Sequence, residues 1–168
     1  MLTSHELFGF MSPSLALEIL IYAYDNDKPL YRATLGAVAD ARKLRPVFLE
    51  RQPKPQRHAT MLSMMARPGL DLVASNLLHA WLLKKHKPML ADFLDALGVA
   101  HQDGVVEQLP PTMDDAKLRA AVDALLVKYP PETVAVYLHA FNKMNELEWK
   151  NLTAFLDSDP RLQLGATA

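Results

Sequence analysis

Six histidines are the residues of this chain best suited to ligating a metal or moving a proton. A zinc site needs several such donors converging, often two histidines on adjacent turns of one helix with a carboxylate nearby. Neither His-Glu-x-x-His nor a Glu-x-x-His pair occurs. His79 and His86 lie seven positions apart and would share a helix face with Asp71 and Ser75. That set could hold a metal if another helix supplied a ligand. It reads equally as the polar stripe of an otherwise buried helix, so no metal is assigned.

His139, Asn142, Glu146 and Trp149 would align if one helix ran unbroken through them. A polar stripe beside an aromatic can line a cleft, with His139 as acid or base. The alternative is an exposed face capped by Asn142 or Asn145, with Trp149 turned into the core. His101, Asp103 and Glu107 fall in a loop, where ligand-contacting residues concentrate. Asp103 is also explained by turn formation alone. Asp92 and Asp95, three apart on a helix, fit a solvated face better than a catalytic carboxylate pair.

Nucleotide and acyl-transfer chemistry have even less support. The six glycines form neither GxGxxG nor GxxxxGK[ST], and GxSxG is absent. With no cysteine, the chain has no disulfides, thiolate ligands or thiol nucleophiles. It therefore reads as leaning away from an enzyme, and no cofactor is expected.

Charge is the more informative signal. The net charge of −1 hides a split. Residues 28–87 carry twelve basic residues against three acidic ones, a local net of +9. Residues 92–168 carry twelve acidic against six basic, a local net of −6. The halves could attract each other within one fold, or the basic part could face an anionic partner. Arg42, Lys43, Arg45, Arg51, Lys54, Arg57 and His58 fall within seventeen positions. Pro46, Pro53 and Pro55 stiffen this segment, and fixed cations can contact phosphates. No helix-turn-helix, zinc finger or set of stacking aromatics accompanies them. The one aromatic, Phe48, is expected in the core.

The elements that must position these residues are helices. Twelve prolines punctuate the chain, and most precede a run with apolar residues at helical spacing. Proline suits the first helical turn, where its missing N–H would have no acceptor. The pattern predicts an all-α fold of about seven to eight helices. Its form would be a compact bundle or an irregular array of helical hairpins, in a single domain over 1–168. Asp103-Gly104 between β-prone residues leaves a minor β-hairpin open near 99–107.

The helix after Pro13 is apolar on nearly all sides, which predicts a central position or cover by another subunit. Met61, Met64 and Met65 cannot all face one way, so one is expected to be exposed beside Leu62. Such excess apolar surface favours self-association or a protein partner. The longest apolar run, Leu15–Tyr24, contains Glu18 and is about half the length needed to span a bilayer. No basic secretory flank opens the chain, so the expected location is the cytoplasm without membrane contact. The leading functional expectation is a non-enzymatic intracellular interaction module. The alternative is nucleic-acid or polyanion binding through 42–58.

Overall fold

The computed structural model describes residues 1–165. The fold is all-helical, as the proline and apolar patterns predict, with ten α-helices among the described residues, slightly more than the seven to eight expected because two of them are only seven and five residues long. The helices gather into two compact units. One comprises residues 2–81; the other comprises Met1 and the chain from Leu82 onward.

In the N-terminal unit, α1 (Ser4–Phe10) is closed by a capping box between Thr3 and Glu6. The Thr3 N–H donates to the Glu6 carboxylate at 2.8 Å. Those bonds hold Glu6 below the usual carboxylate pKa. Ser12 caps α2 (Pro13–Asn26), and Asp27 caps α3 (Lys28–Ala41). The short α4 (Pro46–Glu50) and α5 (Lys54–Met65) also carry proline in the first turn. A 3-10 turn, Pro68–Leu70, leads into α6 (Asp71–Ala80).

Helix α5 touches α1, α2, α3 and α6. For that reason Met61, Met64 and Met65 are all buried, contrary to the expectation that one would be exposed. Helix α2, by contrast, is not fully enclosed. Leu15, Ile19 and Leu20 enter the core, while Leu17 stays exposed and Ile21 half-buried. The unit is closed at α1 by Asp71, whose carboxylate accepts from the His5 backbone N–H and meets His5 Nδ1, both at 2.9 Å.

Between α6 and the next helix the backbone widens into a π-helical stretch, Trp81–Lys85. The C-terminal unit then contains α7 (Lys87–Leu97), α8 (Asp115–Lys128), α9 (Pro131–Met144) and α10 (Lys150–Ser158). Helix α9 is its centre, with every residue from Val134 to Asn142 buried. It packs against α8, α10 and the 3-10 turn Pro160–Leu162. Phe93, Phe141 and Trp149 form an aromatic chain, Phe93 edge-on to Phe141 and Phe141 tilted against Trp149, with ring centroids 5.2 and 5.5 Å apart.

Gly98 stops α7 with φ +71°, and the Val99 N–H returns to the Leu94 carbonyl. The hairpin near 99–107 shrinks to one bridge, Gln102 with Val105. Asp103 and Gly104 both take positive φ, as a tight hairpin turn requires.

Candidate interaction surface

The N-terminal unit carries an apolar groove of about 650 Å³. The end of α1 supplies Phe8, Gly9 and Met11; α2 supplies Leu17 and Ile21; α5 supplies Ala59 and Leu62. Leu17 and Ile21 are four apart, so they stack on one face of α2 outside its core stripe. Of the residues lining the groove, Lys54 alone is charged.

Beside it lies an aromatic cluster. His58 is buried, and its Nε2 is 2.9 Å from the Tyr31 hydroxyl. Tyr24 meets both rings edge-on, at 5.0 and 5.5 Å. The Lys54 ammonium sits 4.1 Å above the Tyr24 ring, within cation–π range. Burial lowers the pKa of His58, and the nearby Arg57 and Lys54 charges lower it further. Burial raises that of Tyr31. Both groups are therefore held neutral near pH 7, and the cluster is a fixed wall. A second, more polar cavity of about 490 Å³ includes Tyr24, Tyr31, Glu50 and Arg57 in its lining.

The basic segment divides in two. Arg42, Lys43, Arg45, Arg51 and Lys54 are exposed. Among the described residues, the first four have no ion pair. Arg57 is half-buried, and its Nη1 donates to the Glu50 carbonyl at 3.1 Å. His58 is enclosed and cannot reach a phosphate. Phe48, expected in the core, is 53% exposed, and Leu44 and Val47 are exposed beside it in sequence. Leu49 is the buried member of α4. A five-residue helix has room for one inward anchor only, and Leu49 takes it.

The histidine and carboxylate candidates are engaged elsewhere in the fold. Ser75 Oγ lies 3.3 Å from His79 Nε2, and Asp71 serves His5. His86 is half-buried at the start of α7. No group of three histidine or acidic side chains among the described residues is placed to hold a metal. Asp95 Oδ1 lies 2.6 Å from His101 Nε2, and the Gly104 N–H donates to His101 Nδ1. Lys87 reaches Asp103 at 2.6 Å. Asp92 receives Lys128 at 2.7 Å and the Tyr129 hydroxyl at 2.8 Å, which lowers its pKa. Glu107 is exposed.

The chain breaks between α9 and α10, so His139, Asn142, Glu146 and Trp149 do not form one stripe. Asn142 fastens the break. Its Oδ1 accepts the Trp149 N–H at 3.0 Å, and its Nδ2 donates to the Trp149 carbonyl and the Thr153 hydroxyl. The Trp149 indole N–H donates to the Pro110 carbonyl at 2.8 Å. Glu146 is exposed. His139 is buried, and its Nδ1 has no hydrogen-bond partner. Burial pushes its pKa down to about 4.

No protein-family model, curated protein or solved structure matches this chain. Its surface chemistry is what bears on function. No helix among the described residues is long and apolar enough to cross a membrane. The groove itself was only half visible in the sequence. Excess apolar surface on α2 was legible, but not that Leu17 and Ile21 are the residues that carry it. The contribution of α1 carried no comparable signal, because its seven residues hold too few apolar positions for a period to show.

Proposed function

We propose that this protein is a non-enzymatic interaction module whose N-terminal unit receives a helical segment of a protein partner. The observation that carries this reading is the 650 Å³ apolar groove with Lys54 as its one charged lining residue. An amphipathic helix seats its apolar side chains in such a groove, at i, i+3 or i+4, and i+7. Acidic residues along its flank would meet Lys54. The intracellular setting belongs to the same reading.

The test uses two designed helical peptides with the same apolar face, one with glutamate flanks and one with lysine flanks. Fluorescence anisotropy should show the acidic peptide binding at least tenfold more tightly. Leu17→Asp combined with Leu62→Asp should abolish binding while leaving the helical circular dichroism unchanged. If neither peptide binds the native chain, the groove reading fails.

The exposed cations of 42–51 favour a second reading, binding of single-stranded nucleic acid or another polyanion. Phe48 adds an accessible ring on which a base could stack. Four phosphate contacts would give a slope of about −3 for log affinity against log salt. A salt-independent signal, or none at low ionic strength, would dismiss it.

A further inference from the structure

The segment between α3 and α5 turns apolar side chains outward together with its cations. Leu44 and Val47 are each 39% exposed, and Phe48 is 53% exposed. Leu49 explains why they stay out. It is fully buried, and a single-turn helix pinned through Leu49 cannot roll Val47 or Phe48 inward without withdrawing that anchor. Val47 and Arg51 are four positions apart and Phe48 and Arg51 three, so these side chains share one side of the turn. The Arg51 N–H donates to the Val47 carbonyl at 3.1 Å, which fixes that spacing.

Cations bracket the apolar residues. Arg42 and Lys43 precede Leu44, Arg45 separates it from Val47, and Arg51 follows Phe48. All four are exposed and have no ion pair among the described residues. Lys43 sits at φ +57° where α3 ends, and the Leu44 N–H returns to the Ala39 carbonyl at 2.8 Å. Glycine usually takes that position, and here the chain holds a cation in it. Two carboxylates flank the patch in sequence. Asp40 is exposed near the end of α3. Glu50 lines the polar cavity, where Lys28, Arg32 and Arg57 outnumber it and Asp25.

Exposed apolar side chains rimmed by charge mark a protein or membrane contact. A nucleic acid engages the cations and the Phe48 ring but leaves the aliphatic Leu44 and Val47 in water. An anionic bilayer uses every member of the patch. Its headgroups attract the cations, worth roughly fivefold in affinity for each Lys or Arg. Aromatic and aliphatic side chains enter the boundary beneath the headgroups.

We propose that residues 42–51 form a contact surface for a membrane containing anionic phospholipids. Leu44, Val47 and Phe48 enter the headgroup boundary, and Arg42, Lys43, Arg45 and Arg51 meet the lipid phosphates. The expectation of no membrane contact rests on the lack of a spanning segment and of a secretory flank, and a surface patch needs neither. The proposal takes the cations of the nucleic-acid reading and commits them to lipid. It is independent of the groove.

The test mixes the full chain with vesicles of phosphatidylcholine and phosphatidylserine, or of phosphatidylcholine alone, and measures binding by co-sedimentation. Binding to the mixed vesicles should be at least about a hundredfold tighter and should weaken as salt is raised. Trp81 and Trp149 are buried, so Phe48→Trp supplies a tryptophan that reports on the patch. Its emission should move to the blue on the mixed vesicles and be quenched by phospholipids brominated on their acyl chains. Leu44→Ser with Val47→Ser spares Phe48 and every cation. It should weaken vesicle binding about tenfold and leave any oligonucleotide affinity unchanged. If that variant loses its helical circular dichroism, the quenching of Phe48→Trp decides alone. No binding to the mixed vesicles at low salt overturns the proposal. Equal binding to the neutral vesicles does so too, as does binding without quenching, which would be adsorption by the cations alone. Oligonucleotide binding without vesicle binding upholds the nucleic-acid reading and overturns this one. Vesicle binding without oligonucleotide binding does the reverse.

Discussion

Two connecting segments, 42–53 and 98–114, handle charge in opposite ways. In the first, Arg42, Lys43, Arg45 and Arg51 point outward without ion pairs among the described residues, and Phe48 is exposed among them. In the second, most of the polar groups are tied to the fold, and Glu107 is exposed. His101 is tied to Asp95 and Asp103 to Lys87. The Pro110 carbonyl receives the Trp149 indole, and the Met113 carbonyl receives Asn151. A segment whose charges satisfy each other is structural. One whose charges are left to solvent keeps its electrostatic potential available to something else.

The largest effect should come from reversing the outward charges. Arg42→Glu, Lys43→Glu, Arg45→Glu and Arg51→Glu together should weaken polyanion binding at least a hundredfold at low salt. Urea unfolding should move by no more than about 0.5 kcal/mol for each change, as for other exposed sites. A large loss of stability would mean that these cations serve the fold after all.

Next in size is Asn142→Ala. It removes the ties to Trp149 and Thr153 and leaves the buried Trp149 N–H unpaired. The expected destabilisation is about 3 kcal/mol by chemical denaturation. Calorimetry of the same variant tests the expectation of one domain over 1–168. A single transition shifted as a whole is the expected result, and a split transition would contradict it.

The two buried histidines sharpen the contrast further. His58 shares a hydrogen bond with Tyr31, whereas His139 Nδ1 has no partner. His139 titrates near 6.5 when unfolded but near 4 in the fold. Between those values the unfolded chain binds the extra proton. Stability is therefore intact above about pH 6.5 and is lost as pH falls toward 4, by about 3 kcal/mol in total. Unfolding measured across that window should show the slope, and His139→Leu should flatten it.

The smallest effect belongs to the tight turn. Gly104→Ala should cost about 1 kcal/mol, because alanine disfavours positive φ. Lys87→Met, which removes an exposed ion pair, should change stability by less than about 1 kcal/mol. Thermal melts of the two variants resolve the difference.

The sequence by itself determined the helical class and most of the helix starts. Pro13, Pro29, Pro46, Pro55, Pro88 and Pro131 all fall in first turns, because proline's fixed φ and missing N–H act locally. Gly98 as a helix stop and Asp103-Gly104 as a tight turn were legible for the same reason. Helix α1 was too short to show a period. The segment 42–58 stood out as basic, but its division into five exposed cations, a half-buried Arg57 and an enclosed His58 did not. Periodicity says that a face is apolar and not what covers it. Only the tertiary structure decided that α5 is covered on several sides and hides all three of its methionines. The same packing leaves Leu17 and Ile21 facing a groove. These are outcomes of non-local contacts, which the spacing of residues along one helix does not encode.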